Sequence, residues 1–360
     1  MRVLVFSTQH LETGGIESHL KEFCLHLHKS GVDIDLLVTS AAMSAETEAY
    51  YRGLCSHVFL CKAKKSTFRF LWLYAVLFRL KFATYNAVYT NGQGESIWFL
   101  SRLLSRKSWW VHHHHTAGDA ADQSYWGPRY WRALRAADRL IACSTTNAHT
   151  MSQALNRRVD TVPCFSRAVK PVLSTDRQAR RIRLGYYGRL IPEKGIDLLC
   201  RLSDDAELSD VEFHVWGEGN AYPPAFFDQY PNVAFHGAFA GTEKLTGVLN
   251  SLDALLLLTT NAEGLPISLL EAMSAGLPWL ATDRGGIADI ALDPNATRVI
   301  PATAEYAQVK KAVSALATDL RQGSISGQQQ MALYARKFSA SVLVQQWRDM
   351  LNLNTLTPQA

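Results

Sequence analysis

A strand, a loop and a helix follow one another in Ala254-Leu-Leu-Leu-Leu258-Thr-Thr-Asn-Ala-Glu263-Gly264-Leu265-Pro266-Ile-Ser-Leu-Leu-Glu271-Ala-Met-Ser-Ala-Gly276-Leu-Pro278. The apolar run that opens this stretch predicts a buried strand. Pro266 suits the first position of a helix, where its missing N–H costs no hydrogen bond. We therefore expect Glu263 on the loop and Glu271 on the second turn of the helix.

The loop between this strand and this helix suits a phosphate, because a helix N-terminus offers backbone N–H groups to anions. The N–H groups near Gly264, Leu265 and Ile267 are expected to point at the gap between the two glutamates. Carboxylates repel phosphate, but they accept hydrogen bonds from hydroxyls on either side of a diphosphate. The segment thus favours a nucleotide sugar, with one glutamate on the sugar ring and the other on the ribose. The alternative is an ordinary helix start with solvated carboxylates.

A second loop of the same kind is Tyr187-Gly188-Arg189-Leu190-Ile-Pro192-Glu193-Lys194-Gly195, which follows one strand and opens another helix. A departing nucleoside diphosphate gains negative charge, which either a metal ion or fixed cations must stabilise. No Asp-x-Asp motif follows an apolar strand, so Arg189 and Lys194 are predicted to take that role. A surface turn with solvated charges is the alternative for this segment taken alone.

Strand-like and helix-like segments alternate on both sides of these loops, which indicates doubly wound parallel sheets. The chain has 360 residues, enough for two domains. The pattern is interrupted around Pro163 to Arg181. This stretch contains prolines and several basic residues, which is typical of a linker. We predict an α/β fold with two Rossmann-like domains, residues 1–165 and 178–336, facing each other across a cleft. The amphipathic segment 337–360 is expected to pack back on the first domain.

Composition excludes several classes of protein. Hydrophobic residues make up 48% of the chain and charged residues 19%, so a large core is available and no disordered tract is expected. A net charge of +5 fits an anionic ligand or membrane surface and is weak for a nucleic-acid binder. Six scattered cysteines and no signal peptide favour the cytoplasm.

Four consecutive histidines, His112 to His115, follow the strand-like Trp109-Trp-Val. Neighbours on a strand point to opposite faces, so the four are not expected to converge on one metal ion. One or two at the carboxyl end of the strand are expected to hydrogen-bond a sugar or a phosphate, with His115 favoured and then His114. Buried packing is the alternative for at least two of them. The loop Thr13-Gly14-Gly15-Ile16 lets the backbone approach a ligand, although a plain turn is the more common explanation of such a pair of glycines.

Taken together, these motifs resemble the GT4 family of retaining glycosyltransferases, which have the GT-B fold. The resemblance covers nearly the whole chain and includes Trp216-Gly-Glu-Gly219, Asp283-Arg-Gly-Gly286 and the two glutamates seven residues apart. It departs from the family in having four histidines where one is usual.

The resemblance implies specific roles for individual residues. The C-terminal domain would hold the donor and the N-terminal domain the acceptor. Glu263 would contact hydroxyls of the donor sugar and Glu271 the ribose. The residues implied to bind the donor are Gly15, Arg189, Lys194, Gly264, Leu265 and Glu271, and the catalytic candidates are Glu263, His115 and His114. In such enzymes the acceptor attacks the donor sugar from its front face, so Glu263 is not expected to act as a nucleophile. No metal or other cofactor is expected.

The implied activity is transfer of a hexose from a UDP- or GDP-linked donor to a glycan or lipid-linked acceptor in bacterial surface polysaccharide or lipopolysaccharide synthesis. An epimerase acting on sugar nucleotides and a non-catalytic sugar-nucleotide-binding subunit remain alternatives. Basic residues flank the aromatic run Phe70-Leu-Trp-Leu-Tyr74, which leaves two interpretations open. The segment is either a peripheral contact with an anionic membrane on its cytoplasmic face or a helix buried in the core.

Overall fold

The structure is a computed structural model that describes residues 1–12, 14–80, 82–103, 108–170 and 181–354. Thr13 of the glycine loop, Lys81 beyond the aromatic run and the greater part of the predicted linker lie outside the described residues. The chain divides into two compact units. One comprises Met1–Phe165 together with Ala340–Ala360, and the other is Ser166–Ser339. The sequence places the corresponding boundaries at 165, 178 and 337.

The N-terminal unit is built on a parallel sheet, in which the described residues form seven strands. The strands are β1 (Arg2–Ser7), β2 (Asp33–Val38), β3 (His57–Leu60), β4 (Ala87–Asn91), β5 (Trp109–His114), β6 (Arg139–Ala142) and β7 (Asp160–Thr161). The helices between them are α1 (Gly15–Lys29), α2 (Ala45–Leu54), α3 (Ser66–Leu80), α4 (Ser96–Leu103), α5 (Ala120–Gln123), α6 (Pro128–Ala136) and α7 (Thr145–Leu155). The strand order is β3-β2-β1-β4-β5-β6-β7.

The C-terminal unit repeats this plan with a parallel sheet of six strands in the part of the chain described. The strands are β8 (Ile182–Arg189), β9 (Val211–Glu218), β10 (Val233–Phe235), β11 (Ala254–Leu257), β12 (Trp279–Thr282) and β13 (Thr297–Ile300). The helices are α8 (Ile196–Ser203), α9 (Thr242–Asn250), α10 (Ile267–Ala275), α11 (Tyr306–Arg321) and α12 (Gly327–Lys337). The strand order is β10-β9-β8-β11-β12-β13. The predicted pair of doubly wound sheets is confirmed.

The last helix, α13 (Ala340–Met350), belongs to the N-terminal unit. Its Trp347 is fully buried in the apolar cluster that also contains Leu20 and Phe23 of α1. The indole N–H of Trp109 donates to the carbonyl of Met350 at 2.9 Å. Burying a tryptophan removes a large apolar area from water, so the C-terminal segment contributes to the core of the first unit.

Each sheet has one position where the strand order reverses, and ligands of such sheets bind beyond the carboxyl ends of the strands at this switch point. In the N-terminal unit the reversal lies between β1 and β4, and in the C-terminal unit between β8 and β11. The chain after β8 is the Arg189–Lys194 loop, and the chain after β11 carries Glu263. The topology therefore places these two predicted loops side by side.

Helix α3 contains the aromatic run, and it is not the wholly buried helix that one interpretation expected. Leu73, Val76, Leu77 and Leu80 face the core. The opposite side exposes large apolar side chains, with Phe68 and Leu71 each 60% exposed and Phe78 57% exposed. Among the described residues, no helix combines the length and the apolar character that a membrane span requires.

Candidate active site

Lys194 and Glu263 meet at the switch point of the C-terminal sheet. The ammonium Nζ of Lys194 lies 2.6 Å from Oε1 of Glu263, and the hydroxyl of Thr259 donates to the same oxygen at 2.9 Å. The two side chains are 19% and 14% exposed, so the pair is partly shielded yet reachable from solvent. A cation and a carboxylate at this position can contact a phosphate and a hydroxyl of the same ligand.

The Lys194 loop is fastened to the end of β11. The carbonyl of Glu193 accepts a hydrogen bond from the Thr260 N–H at 2.8 Å. The Thr259 hydroxyl lies 2.9 Å from the same carbonyl and shares its single proton between it and Glu263. Gly195 has a φ of +75°. A Cβ atom at Gly195 would lie 2.1 Å from the carbonyl oxygen of Leu258, so only glycine fits this close approach. The predicted loop is thus held rigidly where Lys194 reaches Glu263.

The glycine loop that follows β12 fixes the backbone of Glu263. The N–H of Gly286 donates to the Glu263 carbonyl at 3.0 Å, and Glu263 pairs with Gly285 as an isolated parallel bridge. Gly285 has a φ of +61°, and a Cβ atom there would lie 2.0 Å from the carbonyl oxygen of Glu263. The resemblance singled out Asp283 to Gly286 as a motif, and the structure gives that motif a supporting role.

Arg189 is the last residue of β8, and it is exposed to solvent. Its carbonyl accepts a hydrogen bond from the Tyr186 hydroxyl at 2.8 Å. The following residue, Leu190, donates its N–H to the Glu218 carbonyl at 2.9 Å. A Cβ atom at Gly217 would lie 1.9 Å from the carbonyl oxygen of Gly188. The Trp216–Gly219 motif therefore packs against the loop that presents the Arg189 side chain.

Glu271 lies on α10, as predicted, but its carboxylate is already engaged. Oε1 accepts from Nε of Arg167 at 2.6 Å, and Oε2 accepts from the hydroxyl of Tyr187 at 2.8 Å. The Glu271 side chain is 2% exposed. Burial first, and then the Glu271 charge, raise the pKa of Tyr187, so this hydroxyl stays protonated and donates. Neighbouring Gly264 and Leu265 lie on the loop before the helix, where the sequence places them.

A cavity of about 290 Å³ lies at the switch point of the N-terminal sheet. Hydroxyl and amide groups form one part of its wall and apolar side chains of α3 and α4 the other. The lining residues are Thr8, Thr39, Ser40, Ser66, Arg69, Phe70, Leu73, Gln93, Ser96 and Phe99. This mixture suits a ligand with both hydroxyl groups and apolar surface.

His114 is fully buried, and partners occupy both of its ring nitrogens. Nδ1 lies 2.9 Å from the hydroxyl of Tyr130, and Nε2 lies 2.9 Å from Oδ2 of Asp122. Burial alone would raise the pKa of Asp122, but hydrogen bonds from His114, Thr116 and Gln93 outweigh it and lower the pKa. His114 therefore belongs to an internal network that reaches the cavity through Gln93.

His115 is half-buried and turns its Nδ1 toward two cysteine sulfurs, at 3.7 Å from Cys143 and 3.5 Å from Cys164. Gly15, the other N-terminal candidate, opens α1. A Cβ atom at the preceding Gly14 would lie 2.1 Å from Oε2 of Glu17, so this loop wraps around that carboxylate. Glu17 in turn accepts the N–H of Leu11 at 3.0 Å.

The structure brings Lys194 and Glu263 together and places Arg189 and Glu271 in the same unit. Sequence reasoning missed the partners that hold the candidate residues, namely Thr259 beside Glu263, Arg167 beside Glu271 and Asp122 beside His114. Each is a single polar residue outside any recurring motif. The only available signal was Thr259, because it is the first polar residue after the apolar strand.

Two family models match most of the chain. Residues 13–166 match the family model described as Glycosyltransferase Family 4, and residues 181–319 match the one described as Glycosyl transferases group 1. Together the two matches cover most of the chain, one in each unit.

Solved structures share the fold over nearly the whole chain. HepE of Anabaena, in complex with UDP and glucose, is 16% identical with a TM-score of 0.76 and covers 98% of this chain and 99% of its own. Sucrose-phosphate synthase of Thermosynechococcus elongatus is 15% identical with a TM-score of 0.77, covering 98% of both chains. The lipopolysaccharide outer core galactosyltransferase WaaB is 16% identical with a TM-score of 0.70 and covers 98% of this chain and 99% of its own. With a glycosyltransferase family matched in each of its two Rossmann-like units, the chain belongs to the GT4-type glycosyltransferases of the GT-B fold.

Proposed function

We propose that this enzyme transfers a hexose, with retention of configuration, from a UDP- or GDP-linked donor to a glycan or lipid-linked acceptor. The observation that carries the proposal is the contact between Lys194 and Glu263 at the switch point of the C-terminal sheet. This point is where a doubly wound sheet binds its ligand. A phosphate-binding cation beside a hydroxyl-binding carboxylate matches the junction between a diphosphate and a sugar.

In the proposed complex, Arg189 and Lys194 neutralise the diphosphate, and the backbone at Gly264 and Leu265 offers N–H groups to it. Glu263 accepts hydrogen bonds from hydroxyls of the donor sugar. Glu271 accepts hydrogen bonds from the ribose hydroxyls. A carboxylate has about four acceptor sites, and Arg167 and Tyr187 occupy only some of them. By resemblance, Gly15 approaches the phosphates or the acceptor.

The proposed chemical step breaks the bond between the anomeric carbon and the diphosphate oxygen. The acceptor hydroxyl forms the new bond on the same face, and its proton passes to the departing phosphate oxygen. Arg189 and Lys194 stabilise the charge that the leaving group gains, which is the work that a divalent cation does in other transferases. We therefore propose a reaction that needs no metal ion at the diphosphate.

The two histidine candidates have different proposed roles. His115, at the carboxyl end of β5, corresponds to the family's donor-facing histidine. His114 has both ring nitrogens occupied and is fully buried, so it suits a positioning role better than proton transfer. Through Asp122 and Gln93 it supports the wall of the cavity in the N-terminal unit.

We place the acceptor in that cavity. Its hydroxyl and amide groups suit a sugar, while Phe70, Leu73 and Phe99 suit the apolar part of a lipid-linked acceptor. The lipopolysaccharide galactosyltransferase among the similar structures supports a pathway that builds bacterial surface polysaccharide or lipopolysaccharide. The exposed apolar side of α3 and its flanking basic residues further support a cytoplasmic enzyme that binds the inner face of an anionic membrane.

A panel of nucleotide sugars tests the proposal. We expect one UDP- or GDP-linked hexose to raise the Tm of the wild-type protein, because a ligand that binds only the folded state stabilises it. The same donor should then be consumed in the presence of glycan and lipid-linked acceptors, giving a glycoside with the donor's anomeric configuration. Conversion of the donor to another sugar nucleotide without acceptor would instead indicate the epimerase. Binding without any turnover would indicate a non-catalytic subunit.

A further inference from the structure

Two histidines and two cysteines of the N-terminal unit converge on one point beside the β5, β6 and β7 strand ends. They are His113, His115, Cys143 and Cys164, and their potential ligand atoms all lie within 4.8 Å of one another. Cys143 Sγ lies 3.2 Å from Nε2 of His113 and 3.3 Å from Sγ of Cys164. His115 completes the group, with its Nδ1 at 3.7 Å and 3.5 Å from the two sulfurs.

Four of these separations, between 3.2 and 3.7 Å, lie close to the edges of a zinc tetrahedron, and all six are at most 4.8 Å, so small shifts of the side chains would complete it. With Zn–S bonds of about 2.3 Å and Zn–N bonds of about 2.05 Å, ligand atoms of a tetrahedral site lie about 3.3–3.8 Å apart. Two imidazoles and two thiols are a ligand set that zinc commonly takes in structural sites. A two-iron cluster fits less well, because the two histidines would bind one iron and the two cysteines the other. The histidine pair would then have to lie farther from the cysteine pair.

The convergence follows from strand geometry. His113 and His115 are two residues apart, so they point to the same face of the sheet, whereas His112 and His114 point to the other face. His112 and His114 both contact the hydroxyl of Tyr130. The run as a whole therefore cannot bind one ion, as the sequence indicates, but half of it can do so with cysteines from the next strands.

The surroundings resemble those of a structural metal site. His113, Cys143 and Cys164 are buried. Nδ1 of His113 lies 2.9 Å from the hydroxyl of Tyr89, which fixes the ring with Nε2 toward Cys143. Metal-binding histidines typically hold their second nitrogen in this way. Among the described residues, the buried Nε2 of His115 has no hydrogen-bond partner, so only His113 has its second nitrogen fixed in this way.

The geometry points to a structural Zn²⁺ site formed by Nε2 of His113, Nδ1 of His115 and the thiolates of Cys143 and Cys164. Binding displaces the protons of the two thiols, and the ion joins the carboxyl ends of three neighbouring strands. The site lies in the N-terminal unit and the predicted diphosphate-binding loops lie in the C-terminal unit. It departs from the expectation of a metal-free chain, and it shares His115, through Nδ1, with the role proposed for this residue at the donor. A network of protonated thiols and imidazoles, or a disulfide between the two cysteines, would be the competing state.

The test begins with wild-type protein expressed in zinc-supplemented medium, purified without a metal-affinity column and gel-filtered in EDTA. We expect about one Zn²⁺ per chain by elemental analysis, because a buried four-ligand site releases its ion slowly. The variant Cys143→Ser/Cys164→Ser should lose the ion although it retains all four histidines. The matched control Cys24→Ser/Cys200→Ser alters two other buried cysteines and should keep it.

Cobalt replacement gives a readout that does not depend on how well the variants fold. Protein refolded from denaturant with Co²⁺ should show the visible bands of a tetrahedral cobalt ion and a thiolate-to-cobalt charge-transfer band. Zinc at background level in the wild type, zinc retained by Cys143→Ser/Cys164→Ser, or a cobalt spectrum without the thiolate band would each overturn the inference. A Cys143–Cys164 disulfide found by mass spectrometry in freshly isolated protein would do the same.

Discussion

Glu263 is held on its main chain and on its side chain by different segments of the C-terminal unit. The Gly285–Gly286 turn clamps its backbone, and Lys194 and Thr259 contact its carboxylate. Preorganisation of this kind matters because a displacement of about 1 Å at a reacting centre can reduce the rate 10²-fold. The glycines of the neighbouring loops are therefore important for activity although they have no side chains.

Gly285→Ala is expected to reduce the transfer rate at least 10-fold, because the new Cβ atom would displace Glu263. The left-handed backbone adds about 1–2 kcal/mol of destabilisation for alanine. Gly323→Ala is the matched control, since Gly323 has a φ of +68° and no atom within 4 Å of the added Cβ. Urea unfolding should show the backbone penalty in both variants and a further loss of stability at Gly285 from the collision with Glu263, and steady-state kinetics should show a loss of rate only at Gly285. Equal rates for both variants would show that the contact at Gly285 does not position Glu263 for the reaction.

Glu263→Gln should lower kcat by about 10²–10³, the usual loss when one preorganised electrostatic group is removed from a transition state. Binding of the nucleoside diphosphate should change much less, because the diphosphate contacts Lys194 rather than the carboxylate. Single-turnover rates and calorimetric binding, measured on the same preparation, separate the two effects. An unchanged rate would mean that Glu263 does not contact the reacting sugar.

At the scale of elements, the sequence predicted the strands that are short, apolar and bounded by turns. It did not predict β3, in which His57 precedes only three apolar residues, or the two-residue β7. Periodicity cannot detect such strands, because their existence depends on pairing with a neighbour that is already in place. The paired loops after β8 and β11 were predictable, since parallel strands align their carboxyl ends. The Arg167–Glu271 pair was not, because it joins residues 104 positions apart.

The exposed side of helix α3 could not be predicted from the sequence either. Residues 70–78 of this helix form an unbroken apolar run, so the sequence alone left a buried helix and a surface helix open. The structure buries Leu77 and exposes Phe68, Leu71 and Phe78, a division that only the neighbouring elements determine.

The exposed side of α3 is expected to bind anionic membranes. Leu71→Ser/Phe78→Ser should reduce sedimentation with phosphatidylglycerol-containing vesicles several-fold, because each side chain loses apolar area that the bilayer would cover. Phe82→Ser is not a suitable control, since Phe82 is also exposed near this helix, at 79%. Tyr125→Ser is better suited, because Tyr125 is 84% exposed and lies beyond α5. Equal sedimentation of all proteins, or equal binding to zwitterionic vesicles, would contradict the membrane assignment.

For the whole molecule, buried neutral histidines predict a loss of stability in mild acid. Burial lowers the pKa of His10 from 6.5 to about 4, and its Nε2 lies 2.9 Å from the hydroxyl of Tyr51. Because the unfolded chain binds this proton more readily, the folded state is favoured fully above pH 6.5 and loses stability as the pH falls toward 4. The expected loss from this one group is about 2 kcal/mol between pH 7.5 and pH 5.

Urea unfolding at these two pH values measures the effect. His10→Gln, which cannot titrate, should show a pH dependence smaller by about 2 kcal/mol than the wild type. His149→Gln, at an exposed position on α7, should behave like the wild type. A His10→Gln variant with an unchanged pH dependence would contradict the assignment.

We propose that fixed cations of the C-terminal unit bind the diphosphate of the donor without a metal ion. Calorimetric titration of UDP and GDP in buffer containing EDTA, into the wild type and into Arg189→Ala/Lys194→Ala, tests it most directly. We expect one nucleotide to bind the wild type in EDTA and the double variant to bind it at least 10-fold more weakly, a change of about 1.4 kcal/mol or more. Equal affinity in the two proteins, or binding that appears only when Mn²⁺ is added, would contradict it.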